Sequence, residues 1–141
     1  MEKFEAKDVI NGKFFSLWLD GDMYAEVKAA SAESSLTTEK IPIAGQLGNG
    51  TVVTGAEGTG TITFHKVFSD LPSRINDKIK AGLPFNFDLI SELNDPSQDG
   101  VERVMIEDCT LTKFKVIDAD ITKMLESTYD FSYDPCKVTY E

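Results

Sequence analysis

The sequence predicts a mainly β fold: two packed antiparallel sheets, a β-sandwich or barrel, with one flanking α-helix. Three observations carry this reading. Several segments alternate apolar and polar residues with period two and are rich in Thr, Phe, Ile, Val and Tyr, the composition of half-buried strands. One stretch repeats apolar residues at helical spacing, with Leu71, Ile75 and Ile79 four apart. That stretch is also the only crossover long enough to hold a helix, so the strands should pair antiparallel. The 141 residues are read as one domain, 1–141, long enough to bury a real core.

Taken in order, the first residues carry little pattern beyond the turn signal Asn11-Gly12. Phe14 to Leu19 reads as a short strand and Asp20-Gly21-Asp22 as a tight turn. Met23 to about Leu36 reads as the returning strand of a hairpin. Its small and polar residues, among them Ala29, Ser31 and Ala32, suit a strand that projects or serves an interface. Residues 37–58 look least strand-like, because Pro42, Gly45, Gly48, Gly50, Gly55 and Gly58 interrupt them. A long loop at about 37–58 is therefore expected. It also holds Ile41, Pro42, Ile43, Leu47, Val52 and Val53. Such a loop either orders against a partner or folds back over its own core.

Gly55, Gly58 and Gly60 read as a hinge leading into a strand, with Ile62 and Phe64 on one face and Thr61, Thr63 and His65 on the other. The helix is expected from about Asp70 to Ala81. Ser69 or Asp70 would cap it, Pro72 would sit in its first turn, and Gly82 would end it in the left-handed conformation. Leu71, Ile75 and Ile79 form a narrow stripe that should pack on a sheet. Phe85, Phe87 and Leu89 mark the next strand, and Ser91 to Gly100 a polar loop. Val101 to about Phe114 reads as a long strand with a bulge near Asp108-Cys109, where the alternation slips. Val116 to Leu125 reads as a further strand, and Tyr129, Phe131 and Tyr133 as the last.

The chemistry is defined mostly by what is missing. With 24 acidic against 14 basic residues the net charge is −10, which disfavours tight binding to phosphate backbones. Cys109 and Cys136 have no CxxC spacing, so neither a disulfide framework nor a zinc site is expected. His65 has no Ser or Cys partner in view. Gly55 to Gly60 has the wrong spacing for a dinucleotide loop and precedes a strand. Asp95 to Ile106 starts like a calcium loop but has Ile where the bidentate Glu should stand. Asp118 and Asp120 would share a strand face without a visible pocket. No enzyme activity, metal or cofactor is expected. The charged N-terminus lacks an apolar signal core, and no apolar run is long enough to anchor the chain in a membrane.

The collinear set Ile10-Asn-Gly-Lys13, Leu17-Trp-Leu-Asp-Gly21, Gly55-Ala-Glu-Gly-Thr-Gly-Thr-Ile-Thr-Phe-His-Lys-Val67 and Gly100-Val-Glu-Arg-Val104 resembles the XkdM-like family of tail tube proteins. These build contractile phage tails, defective prophages and phage-tail-like bacteriocins. The glycine-threonine block is the most specific part, and the resemblance covers nearly the whole chain. It implies a subunit that forms hexameric rings, stacked into a hollow tube inside a contractile sheath. One sheet of each subunit would line the lumen, and the segment around 37–58 would join subunits and rings. The implied partners are further copies of the chain, the tail sheath, tape-measure, baseplate and tail-terminator proteins. DNA would pass without specific binding, and the particle would assemble in the bacterial host cytoplasm. The rival reading from the residues alone is a monomeric β-barrel that carries a small ligand.

Overall fold

The structure is a computed structural model, and it describes residues 15–24, 26–66, 70–94, 96 and 101–141. The Asn11-Gly12 turn, the start of the first strand at Phe14, the Ser69 cap and residues 95 and 97–100 of the loop expected over Ser91 to Gly100 lie outside the described residues, while Ser91, Glu92 and Leu93 of that loop are strand. Among the described residues eight strands and one α-helix follow in the order β1 (Phe15–Leu19), β2 (Asp22–Met23), β3 (Val27–Pro42), β4 (Asn49–His65), α1 (Leu71–Lys80), β5 (Asn86–Leu93), β6 (Glu102–Phe114), β7 (Glu126–Tyr133) and β8 (Val138–Tyr140). All pairings are antiparallel, as expected.

The hydrogen bonding joins these strands into one sheet, in the order β2-β1-β5-β6-β7-β4-β3, with β8 added on β6. The sheet curls until its two halves face each other, so one continuous sheet supplies both packed layers. Two features cause the curl. The ends of the strand order, β2 and β3, are joined in sequence by residues 24–26 alone, which draws the two edges together. The long strand β6 changes partner along its length. Val104 to Ile106 pair with β8, whereas Thr110 to Phe114 pair with β7. Between them lies the expected bulge: Glu107 and Asp108 stand opposite Asp88 alone, and Asp108 has φ +58. An extra residue in one strand bends it and raises its twist.

The first hairpin is real but short. Asp20 and Gly21 have φ +52 and +86, the left-handed pair of a two-residue turn that Asp-Gly adopts readily. Only Trp18 and Leu19 find partners across it, in Met23 and Asp22. The chain then leaves β1, and β3 pairs with β4 instead. The returning strand expected from Met23 to Leu36 is thus divided between two neighbourhoods.

The inward residues are those that the alternation marks. Leu17, Ile62, Phe64, Phe87, Leu89, Ile106, Cys109, Tyr129, Phe131 and Tyr133 are all buried. Phe87 and Phe131, on strands separated by β6, meet edge to face with ring centroids 5.6 Å apart. That contact spans the inside of the bend at β6. The Cys109 thiol is pushed up to about 12, first by burial and then by the carboxylates of Asp88, Asp108 and Asp20.

The glycines expected to form a hinge lie within β4, and the core explains them. Gly58 stands opposite Tyr133 and Gly60 opposite Phe131, both in direct register. A Cβ on Gly58 would fall 2.4 Å from the Tyr133 ring, and one on Gly60 would fall 2.3 Å from the Phe131 ring and 2.7 Å from the Ser31 carbonyl oxygen. The aromatic rings occupy the space above the strand, so the strand there must lack side chains.

Helix α1 begins after Asp70, whose side chain makes no capping hydrogen bond, with Pro72 in the first turn. It ends in a Schellman motif: the Gly82 N–H donates to the Ile79 carbonyl and the Leu83 N–H to the Lys78 carbonyl, each at 3.0 Å. Gly82 has φ +72, as its place at the end requires. Leu71 and Ile75 are buried, but Ile79 is 55% exposed, which corrects the expected three-residue stripe. Each four-residue step overshoots a full turn by about 40°. By Ile79 the stripe has rotated about 80° away from the sheet. Ile75→Ala should therefore destabilise the chain by about 2–5 kcal/mol. Ile79→Ala should cost the single chain well under about 1 kcal/mol. Urea unfolding of a non-assembling form measures both.

The strand expected over Val116 to Leu125 does not form; these residues connect β6 to β7 without pairing to another strand among the described residues. Asp118 and Asp120 consequently do not share a strand face. Asp118 lies 3.8 Å from Lys115. Asp120 accepts hydrogen bonds from the N–H of Thr122 at 2.9 Å and from its hydroxyl at 2.6 Å, which hold its carboxyl below the usual range. Both behave as turn residues.

Candidate assembly surfaces

Residues 37–58 are not a loop. They form the outer part of the β3–β4 hairpin, and only 43–48 connect the two strands. Within the body β4 is held between β3 and β7, and its pairing with β7 ends at Gly58 and Tyr133. Ser34 is the β3 residue opposite Gly58, and its hydroxyl lies 2.8 Å from that of Tyr133. Beyond this point the two strands run on alone, as an arm of residues 35–57.

The arm is continuous ladder from Ser35 and Glu57 to Pro42 and Asn49, with one irregularity. Thr37 pairs with Gly55 and Thr38 with Val53, so Thr54 is the extra residue, and its hydroxyl donates to the Thr37 carbonyl at 3.3 Å. Alternation places Leu36 and Val53 on one face, together with Thr38, Lys40 and Thr51. Lys40 donates to the Thr51 hydroxyl at 2.7 Å on that face. The other face carries Val52 and Ile41, opposite Glu39 and Gly50. Ile43 folds onto this second face: a Cβ on Gly50 would meet its side chain at 3.0 Å. Leu47 stands fully exposed at the tip.

Of the expected contact residues, Ile41 and Pro42 thus lie on β3, Val52 and Val53 on β4, and Ile43 and Leu47 in the connection. All the large apolar ones are exposed. Leu36, 62% exposed, belongs with them and was assigned to the preceding strand by sequence alone. A two-stranded ribbon is marginally stable in water, and apolar residues exposed on both of its faces exceed the scattered exposure usual for a surface.

The outward face of the curled sheet has the opposite character. Over β3, β4 and β7 it presents Ser31, Glu33 and Ser35, then Glu57, Thr59, Thr61 and Thr63, then Thr128, Asp130 and Ser132. The Thr61 hydroxyl donates to Asp130 at 3.0 Å. At one end of the face Lys28 pairs with Glu126 and lowers its carboxyl pKa. The face is small-residued, rich in hydroxyls and acidic.

A second group of carboxylates is structural. Asp20 accepts from the Asp88 N–H at 2.8 Å, Asp88 from the Asp108 N–H at 3.0 Å, and Asp108 from Lys137 at 2.8 Å. These bonds tie the first turn to the β6 bulge. Among the described residues no group of side chains is arranged to hold a metal ion. His65 ends β4, exposed, with its N–H on the Glu26 carbonyl.

Solved structures share the fold. The sheath/tube terminator of the PVC extracellular contractile injection system in its extended state matches with TM-score 0.77 at 12% identity, over 97% of this chain and 99% of that one. The tube-terminating cap of the anti-feeding prophage matches with TM-score 0.75 at 12% identity, over 99% and 95%. In sequence, the chain is 33% identical to the phage-like element PBSX protein XkdM of Bacillus subtilis (strain 168), over 92% of this chain and 90% of that protein. The family model described as phage tail tube protein matches residues 2–139. A curled β fold with a projecting arm, a relative at this identity and a family match over nearly its whole length place the chain in one group: it belongs to the phage tail tube protein family.

Proposed function

We propose that this chain is the subunit of the inner tube of a contractile tail or tail-like particle. Six copies close a ring, and rings stack into a hollow conduit for DNA or a tape-measure protein. The observation that carries this is the arm, a ribbon that outruns its own domain with apolar side chains on both faces. Such a ribbon has a use where neighbouring copies cover it. The sheath lies outside this tube, and the baseplate and terminator proteins sit at its ends. Assembly takes place in the host cytoplasm. The family match supports a structural role, and the ligand-carrier reading has no comparable support.

In this reading the acidic, hydroxylated face of β3, β4 and β7 lines the lumen, with Glu33, Glu57 and Asp130 as its carboxylates. A wall repeated over many subunits must not hold a passing polyanion, because weak contacts multiply with copy number. Negative-stain microscopy of the concentrated protein tests the tube: rings or hollow tubes are expected, and a monodisperse monomer at all concentrations would overturn it. Replacing Glu33, Glu57 and Asp130 together by Lys should leave tubes intact. In a DNA-carrying particle it should slow ejection on the order of tenfold at low salt, with relief as salt rises. Unchanged ejection from well-formed particles would remove this face from the lumen.

A further inference from the structure

The arm needs a receptor, and the chain carries a second exposed apolar surface. Val116, Ile117, Ile121 and Met124, in the connection between β6 and β7, are 78%, 87%, 104% and 92% exposed. Four large apolar side chains this open within one short segment exceed the scattered exposure normal for a surface.

Its position relative to the arm follows from the register. The connection enters β7 at Glu126, opposite His65, and the Leu125 carbonyl accepts from the Lys66 N–H at 2.9 Å. The arm leaves at the other end of β7, where Tyr133 faces Gly58. Seven strand steps separate these ends, roughly 23 Å at the usual rise. The two apolar surfaces therefore lie at opposite ends of the same strands, and the arm points away from the segment in its own chain.

Charge narrows the choice of occupant. Copies of a chain of net charge −10 repel each other over most of their surface. These two regions are exceptions. Along the arm the charges are Glu39, Lys40 and, at its base, Glu57, a net of only −1, and between 115 and 125 Lys115 and Lys123 balance Asp118 and Asp120. Contact between them buries apolar surface without adding repulsion.

We propose that the segment 115–125 is the docking surface for the arm of a second copy of this chain, engaged head to tail. This rests on the tube reading and names the receptor within it. A contact between two different surfaces at opposite ends is heterologous and propagates along the strand direction instead of closing as a dimer. It supplies an axial link from one subunit to the next.

The test uses full-length chains with Cys136, the exposed thiol, replaced by Ser. Leu47→Cys protein is mixed with Val116→Cys, Ile117→Cys, Ile121→Cys or Met124→Cys protein, assembled and oxidised. The expected result is a disulfide-linked dimer joining Leu47→Cys to at least one of the four partners, in tubes and not in dilute monomer. Normal tubes that yield no such dimer in any mixture, or that link Leu47→Cys chains only to each other, would overturn the docking surface and leave the tube reading standing. Failure of the unmodified chain to form any oligomer would overturn the tube reading and this contact with it. As a second measurement, Ile121→Lys with Met124→Lys should keep the wild-type melting temperature, since both residues are exposed, yet sediment without tubes. Tubes of normal length from this double variant would also overturn the proposal.

Discussion

Joining Leu36 to Ala56 through an Asn-Gly turn, which removes residues 37–55, is expected to abolish tube formation and leave a soluble, cooperatively folding monomer. Leu36 and Ala56 face each other in the ladder, so a two-residue turn closes the shortened hairpin in register. None of the buried core residues lies in the removed segment. An isolated two-stranded ribbon contributes little net stability, so the body should lose less than about 1 kcal/mol in urea unfolding. Assembly should fail completely, because the variant lacks Ile41, Ile43, Leu47, Val52 and Val53 at once. Sedimentation at high concentration decides this, and tubes from the trimmed chain would remove the arm from assembly.

The trimmed monomer also makes the second large effect measurable. Gly60→Ala should destabilise it by about 1–3 kcal/mol through overpacking, and Phe131→Ala by about 3–5 kcal/mol through the cavity it leaves. The new methyl has nowhere to go. Phe131 is 1% exposed and wedged against Phe87 and Tyr133, and the Ser31 carbonyl closes the other side. Gly58→Ala should cost less. Tyr133 lies nearer the edge of the core and can swing outward at the expense of its contact with Ser34, worth about 0.5–1.5 kcal/mol. If the ring above the strand is the reason for glycine, Gly60→Ala combined with Phe131→Leu should cost less than the sum of the single changes. The difference should be about 0.5–3 kcal/mol. Additive costs in that cycle would mean that glycine is required there for the backbone alone.

Features set by neighbours along the chain could be read directly from the residues. Asp20-Gly21 specifies its turn because only residues tolerant of positive φ fit both positions. Gly82 ends the helix for the same reason, and the slip in alternation at Asp108-Cys109 marks the bulge that bends β6. Period-two patterning named the inward residues of the strands around Ile62 and Phe64, Phe87 and Leu89, and Tyr129, Phe131 and Tyr133, while the short strand β8 carried no signal of its own. The family, too, was legible there, in the glycine-threonine block and its collinear companions.

The tertiary structure alone decided which strands meet. Met23 and Val27 lie four residues apart, yet one strand ends on β1 and the other begins on β4; no local preference distinguishes them. Gly58 and Gly60 looked like breakers because glycine in isolation favours turns. They are strand residues here because aromatic rings from β7, more than 70 residues further along the chain, fill the space above them. Residues 37–42 and 49–58 are strand for a related reason: each half supplies the hydrogen-bonding partner of the other. Val116 to Leu125 has strand composition and forms none; among the described residues its one backbone bond to another segment is the Lys66 N–H on the Leu125 carbonyl, too little to make a ladder. Ile79 was placed on the sheet by spacing and turned away from it by the pitch of the helix. Ile79 apart, where the helical pitch decides, the deciding term is pairing or packing between segments that are not neighbours along the chain, and its strength depends on a geometry that only the folded chain possesses.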